Sequence, residues 1–541
     1  MKYNKIINTK YFGTLVLFLS ICATIFTSCE TTDLDINIDP NQLSPESADK
    51  NFVLNDIQLG FANQSFNLSA NSRGIMRHIN MRDTYAANSV PAAMNFAWSS
   101  TYQITANRQF LERLNETSSI ANHVGVAQLL EAYAFVNLVD FIGTAAYSEA
   151  NNPEINAPKL DSGEEIYNDL YNKIDSAISN LSVTGQDPFE DIFYNGDLNK
   201  WIKLANTLKL RMYVQTKLVG NSSATASVNS ILASGNYIKS SEDDFIFQYG
   251  SQNARPDARH PDYIANYVTG ANTYMSNEFM NIMLNEKSIA DPRLRYYIYR
   301  QQLEDPVNTD DNVILPCEGN PVYTLCYIGE GYWGRMHADD EGIPNDNQGR
   351  STFGVYPAGG AFDEGINNTS TLVNAGIGGA GIYPILTSSF VNFLIAEATL
   401  PSPVGLGATG NTLSYLEAGM SDSFTKVANF AGKPMDAADL TTYYDEVTAL
   451  FNAATSDEAR LSIIMKELYL ASFGNSIESY NGYRRTGYPN DLGGSVINQT
   501  DFPRNFLIPE SELNSNDNPD LEQITRVVQI FWDTNPAGFI E

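Results

Sequence analysis

GDLNKWIKLANTLKLRM, residues 196–212, carries Trp201, Leu204, Leu208 and Met212 at spacings of three and four. With 3.6 residues to a helical turn, that spacing puts all four on one face, so the stretch reads as an amphipathic helix opening after Gly196-Asp197. Upstream, Val126, Leu129, Leu130, Tyr133 and Val136 mark a second helical face. Between the two, Ser162-Gly-Glu-Glu165 is a capping box: the serine hydroxyl accepts an amide of the first turn and the glutamate returns the bond. Ile166, Leu170, Ile174 and Ile178 follow at every fourth position. Downstream, Phe390–Ala398, Leu413–Phe430 and Ser456–Phe473 repeat the theme.

Helices of this length joined by short polar turns predict a mainly α fold, a tetratricopeptide-like scaffold of helical pairs. The strict tetratricopeptide consensus is absent, and no internal repeat is evident. From about 240 to 385 the chain changes character, rich in Gly, Pro, Asn, Asp and Tyr with few long apolar faces. That much irregular chain predicts a large loop-rich lobe with a function of its own. Residues 484–541 are similarly loop-rich.

Residues 1–28 read as a secretion signal: a basic start (Lys2, Lys5, Lys10), then the apolar run LVLFLSICATIF from Leu15 to Phe26. The run is shorter than the roughly 20 residues a permanent span needs. Thr27-Ser28-Cys29 resembles a lipobox, in which the cysteine is lipidated and becomes the new N-terminus. Phe26 departs from the strict form, and an ordinary signal peptide is the alternative. Residues 29–48 are polar, acidic and Pro-containing, and read as a tether before a body spanning 49–541. No later stretch reads as a membrane span.

The chain has 33 Lys+Arg against 63 Asp+Glu, a net charge of −30. Without residues 1–28 the balance is 30 against 63, or −33. Such a field excludes nucleic acid as a partner and favours a neutral ligand over a polyanion, although screening leaves local basic patches open. Of four cysteines, Cys22 leaves with the signal and Cys29 takes the lipid. Cys317 and Cys326 remain, and a disulfide is the economical outcome in an exported protein. A two-cysteine metal site with His337 is the alternative.

Several stretches together resemble the SusD/RagB family of nutrient-binding outer-membrane lipoproteins of Bacteroidota. They are Asp35-Ile-Asn-Ile-Asp-Pro-Asn41; Asp140-Phe-Ile-Gly143 with Tyr147-Ser-Glu-Ala150; Pro158-Lys-Leu-Asp-Ser162; Gly196-Asp197 with Lys200 to Arg211; Asp291-Pro-Arg-Leu-Arg295; Gly354-Val-Tyr-Pro-Ala-Gly-Gly360; and Tyr483-Arg-Arg-Thr-Gly-Tyr-Pro489. Gly143-Thr-Ala-Ala departs from the family's usual Gly-Asp-Ile-Pro. The resemblance implies a helical scaffold with the ligand site on an inserted irregular lobe. It also implies an outer-membrane, surface-exposed location and a SusC-like TonB-dependent β-barrel transporter as partner. The implied ligand is an oligosaccharide, or a peptide in some members.

A sugar binder needs aromatic platforms with polar groups at their edges. Trp201 and Trp532 read as core, and Trp98, opening a helical run with Tyr102, reads as core first and ligand platform second. Trp333 lies in the glycine-rich run Gly329–Pro344, just past Cys326, which suits a preorganised platform. Tyr332, Trp333, Arg335, Asp339, Asp340 and Arg350 are therefore the site candidates, with Tyr85 and Asn88 of RDTYAANS (82–89) behind them. The alternative is a structural plug in which Arg335 pairs with Asp339 or Asp340. Asp339, Asp340, Glu341 and Asp346 leave a structural calcium open but lack EF-hand spacing, and no other cofactor is expected.

Nothing points to an enzyme. The four histidines are scattered, and no HExxH, nucleophile elbow or P-loop occurs. Gly376–Gly381 matches GxGxxG without a βαβ setting. A glycoside hydrolase stays as the rival, since 63 acids could supply a carboxylate pair.

Overall fold

The computed structural model describes residues 49–540 apart from 221, 269–272, 304–316, 341–349, 354, 358 and 364–375. Cys29, the signal and the whole tether lie outside the described residues.

Five long helices open the body: α1 Lys50–Arg73, α2 Asn95–Asn115, α3 Ala121–Ile142, α4 Gly163–Leu181 and α5 Leu198–Gln215. After α6 Ala224–Ser234 comes the irregular lobe, holding the short helix α7 Asn277–Asn285. Among the described residues, five more long helices follow: α8 Ser388–Thr399, α9 Thr412–Ala431, α10 Ala437–Ala453, α11 Asp457–Ala471 and α12 Ser476–Thr486, with a short one, Glu510–Ser515, after them.

Helix α3 is the hub, packed on α1, α2, α4 and α5. Every one of its residues except Gln128 is buried, well beyond the single face its periodicity marks. By length and hydropathy it is the one helix among the described residues that could cross a membrane, which corrects the expectation of no such stretch after the signal. Yet 94% of its apolar window is buried in the fold, so it is a core helix. Gly125 permits its close approach to α4, because a Cβ there would lie 2.8 Å from Leu181 Cγ and 3.0 Å from the Ala177 carbonyl oxygen.

The capping box forms. Ser162 Oγ accepts from the Glu165 amide at 3.3 Å, and Glu165 Oε2 accepts from the Ser162 amide at 3.1 Å. Ser162→Ala is expected to lower the unfolding free energy by about 1 kcal/mol. Chemical denaturation of the two proteins side by side reads it, and equal midpoints would mean the cap contributes nothing. At the start of α5, Asp197 caps the Asn199 and Lys200 amides. Trp201 is fully buried against Phe193, Tyr194 and Phe245, and its indole N–H donates to Asp191 at 2.8 Å.

The two helical groups are joined through charge as well as apolar packing. Helix α8 packs on α5, α9 and α11, and α12 packs on α1, α5 and α11. Between them Asp140 of α3 accepts from Tyr167 Oη (2.5 Å), Asn481 Nδ2 (2.8 Å) and Trp532 Nε1 (2.9 Å), and pairs with Arg211 at 3.2 Å. Arg211 in turn donates to Glu478 at 2.8 Å. Elsewhere, Arg485 and Lys217 hold the buried Glu397 carboxyl down at about 2, against the desolvation that opposes its charge.

Among the described residues, six short strands belong to the rest. β1 Thr144–Ala145 pairs with β2 Asp161–Ser162 just before α4. β3 Phe245–Gln248 pairs antiparallel with β6 Ile382–Leu386, so the lobe leaves and re-enters the scaffold through one two-stranded ribbon. Within the lobe, β4 Ile298–Tyr299 pairs with β5 Thr352–Phe353. Gly376–Gly379 forms a single 3-10 turn leading into β6, not a strand-to-helix phosphate loop. Cys317 and Cys326 are disulfide-bonded, with their Cα atoms 5.4 Å apart.

Candidate functional site

Where α1 ends, the chain makes a tight turn with Arg77 in the left-handed region (φ 58°) and then runs extended through residues 79–82. This strap is held on both sides by the lobe. Ile79 bridges Met275, Asn80 N donates to Tyr274 O at 2.9 Å, Arg82 bridges Ala338, and Ala338 N donates to Met81 O at 2.7 Å. Next, Thr84 caps a single helical turn, Tyr85–Asn88. Asn88 Nδ2 folds back onto the Arg82 and Thr84 carbonyls at 2.6 and 2.9 Å.

These segments enclose a cavity of about 310 Å³. Its walls are Ala70, Asn71, Gly74 and Ile75 at the end of α1, the strap from Ile79 to Arg82 with Asn88, and Thr273 and Tyr274 of the lobe. Three asparagines use their amide donors on the protein: Asn71 on Ala93 O (2.8 Å), Asn80 on Met336 O (2.7 Å), and Asn88 as above. Among the described residues, nothing donates to the Oδ1 atoms of these three. Arg82 is exposed. Tyr274 is 8% exposed, and the guanidiniums of Arg335, Arg82 and Arg350 stand 4.5, 5.5 and 5.5 Å from its ring centre.

The sequence candidates divide around this cavity. Asn88 lines it, and Arg335 and Arg350 back it through Tyr274. Trp333 does not present a platform; it is 4% exposed, with Arg350 4.8 Å over its ring and Tyr327 at 6.2 Å. Its backbone is pinned between Ser351 Oγ and Ser351 N, and Arg350 donates to the Gly334 carbonyl. Tyr332 is also buried, under Arg300 at 5.1 Å. The physical reason is close backbone packing. A Cβ on Gly334 would fall 2.1 Å from Met275 O, and one on Gly331 2.5 Å from Gln302 O, so these glycines admit neighbouring chain rather than expose the loop.

Tyr85 is buried between His337 and Phe502. Trp98 is buried beside Tyr102 and donates to Glu512 at 3.1 Å, its core reading. Asp339 is buried and accepts from Tyr323 Oη at 3.1 Å, while Asp340 is exposed. Glu341 and Asp346 lie outside the described residues. Among the described residues, no group of three or more acids, histidines or cysteines could hold a metal ion.

Behind the strap, burial holds the His337 imidazole well below its usual range and raises the Glu278 carboxyl. Glu278 accepts the His337 backbone N–H at 2.8 Å and so anchors the 335–338 segment. Sequence reading missed Arg82, Asn80, Asn71 and Tyr274. Arg82 opens the very string RDTYAANS that supplied Tyr85 and Asn88; no local signal marked the others.

A larger cavity, about 470 Å³, lies among α2, α3 and α4. Its charges are spent on one another: Arg108 and Lys173 on Glu131 (2.9 and 2.7 Å), Lys159 on Asp161 (3.1 Å), and Tyr147 Oη on Asp169 (2.5 Å). Those cations also hold the Glu131 carboxyl below its usual value despite burial. With its three cations already engaged and Glu131 ionised, this pocket does not suit a general acid.

Comparison with known proteins places the fold. The sequence model of a family described as starch-binding and associating with the outer membrane matches residues 40–315, just over half the chain. A second, described as the SusD and RagB outer-membrane lipoproteins, matches residues 363–530. The chain belongs to the SusD/RagB family. Solved structures agree on the architecture. A SusD homologue from Bacteroides fragilis NCTC 9343 is 19% identical over 87% of this chain and 93% of its own, with a TM-score of 0.63. A SusD/RagB family protein from Bacteroides thetaiotaomicron VPI-5482 is 19% identical over 91% and 100% (0.65). A protein described as chitin-binding is 20% identical over 90% and 100% (0.66). This SusD/RagB member thus shares their mainly helical, tetratricopeptide-like scaffold, and its family is one of outer-membrane lipoproteins. None of the curated proteins compared matches its sequence.

Proposed function

We propose that this SusD/RagB protein is a surface lipoprotein, anchored at Cys29 after loss of residues 1–28, that captures an oligosaccharide and delivers it to a TonB-dependent barrel. The observation that carries the reading is the 310 Å³ cavity. It is lined by three asparagines whose amide oxygens take no donor among the described residues, by one exposed arginine, and by the apolar Ile75, Ile79 and Tyr274. Sugar hydroxyls donate to such oxygens, and C–H faces lie on such walls. The family description and the chitin-binding relative support a glycan as the cargo, and the SusC-like partner rests on the resemblance.

The same cavity speaks against hydrolysis. Glycoside cleavage needs two carboxylates, and among the described residues no Asp or Glu lines it. The test is calorimetric titration of the full-length chain in detergent with neutral glucans, fructans and mannans, uronic-acid polymers and peptides, checking each mixture for products. Binding without cleavage is expected, weakened about tenfold, or ~1.4 kcal/mol, in Tyr274→Ala. Turnover would make it an enzyme; a peptide as the only ligand would replace the cargo. Undiminished binding by Tyr274→Ala would move the site off this cavity.

A further inference from the structure

Building on the capture reading, we propose that Arg82 makes the cavity selective for saccharides bearing an oxyanion, either a uronate carboxylate or a sulfate ester. Among the described residues, the cavity wall carries one cation, Arg82, and no carboxylate. The larger cavity shows the contrast, with Glu131, Asp161, Glu165 and Asp169 on its walls. Arg82 is exposed at the rim and pairs with no acid among the described residues. Its neighbour Asp83 is occupied locally, accepting from the Thr84 amide at 2.6 Å.

Arg335 and Arg350 bring two more guanidiniums to the same Tyr274 ring. A neutral sugar draws no benefit from the Arg82 charge, whereas a carboxylate or sulfate takes a two-pronged, charge-assisted bond from a guanidinium. The global field of −30 does not cancel the effect. Screening at physiological salt confines each charge to about 8 Å, so the cavity's own residues decide.

The proposal is tested on the full-length chain in detergent by calorimetry. The probes are oligomers of galacturonate, glucuronate and mannuronate, a chondroitin sulfate tetrasaccharide, neutral gluco-, galacto- and manno-oligosaccharides of equal length, and an acidic tetrapeptide. At least one anionic saccharide should bind about tenfold or more tighter than every neutral one, and added salt should erode that lead. Whether a uronate or the sulfate leads identifies the source of the charge. Arg82→Gln should abolish the preference and Arg82→Lys keep part of it, which separates loss of charge from loss of fold. Neutral glycans binding as tightly, a preference that survives Arg82→Gln, or binding of the peptide alone would overturn it. With neutral binding the capture reading stands and only the selectivity falls; if no saccharide binds, both fall.

Discussion

Asp140→Ala is expected to cost about 3–5 kcal/mol of folding free energy. The carboxylate is fully buried and serves Tyr167, Asn481, Trp532 and Arg211 at once. Three of these partners come from α4, α5 and α12, and the fourth from the C-terminal segment, so one side chain fastens five pieces of chain. Its removal strands three donors away from water and leaves Arg211 with Glu478 as its remaining counter-charge. An unmet buried charge or donor costs more than the bond it formerly made contributed. Denaturant titration reads the loss, and Asp140→Asn, which keeps the shape and one acceptor oxygen, should fall between the two. A change below about 1 kcal/mol in Asp140→Ala would show that water or rearrangement satisfies the site, and that the network does not hold the helices together.

Gly334→Ala is the second large effect, and it should strike ligand binding as well as folding. The added Cβ would sit 2.1 Å from Met275 O and 2.8 Å from its carbonyl carbon. Both are backbone atoms, so no side-chain rotation relieves the clash. The 275 and 335 segments must part, although Arg335 N now donates to Met275 O at 2.9 Å. Tyr274, the residue before Met275, forms a cavity wall and moves with them. The expected outcome is about 1–3 kcal/mol of lost stability, together with more than about tenfold weaker binding. Gly494→Ala is the control, since its Cβ would meet nothing within 4 Å. If Gly334→Ala binds as tightly as the parent, the lobe does not shape the site.

Much of the scaffold was legible in the sequence. The period of four after Ser162, the capping box and the Trp201 helix are local features, fixed by residues within a turn or two of one another. The surroundings of α3 were not: periodicity marks one face, while burial on all sides depends on four partner helices from distant sequence. The glycine-rich run 329–344 misled for a related reason. Glycine suits an exposed loop and also a backbone pressed against another backbone, and only the position of Met275 and Gln302 tells which. Trp333, chosen as a platform, is packed under Arg350, and the polar wall formed instead from Asn71, Asn80, Arg82 and Asn88.

By itself, the sequence determined the helical scaffold, the irregular lobe and the family, because periodicity, caps and ordered motifs are written in neighbouring residues. Only the tertiary structure decided where ligand can sit. The cavity joins residues 70–88 to residues 273–274, and its basic backing comes from Arg335 and Arg350. Contacts across nearly two hundred residues and more leave no period to read; they arise when the strap after α1 is clamped between two segments of the lobe.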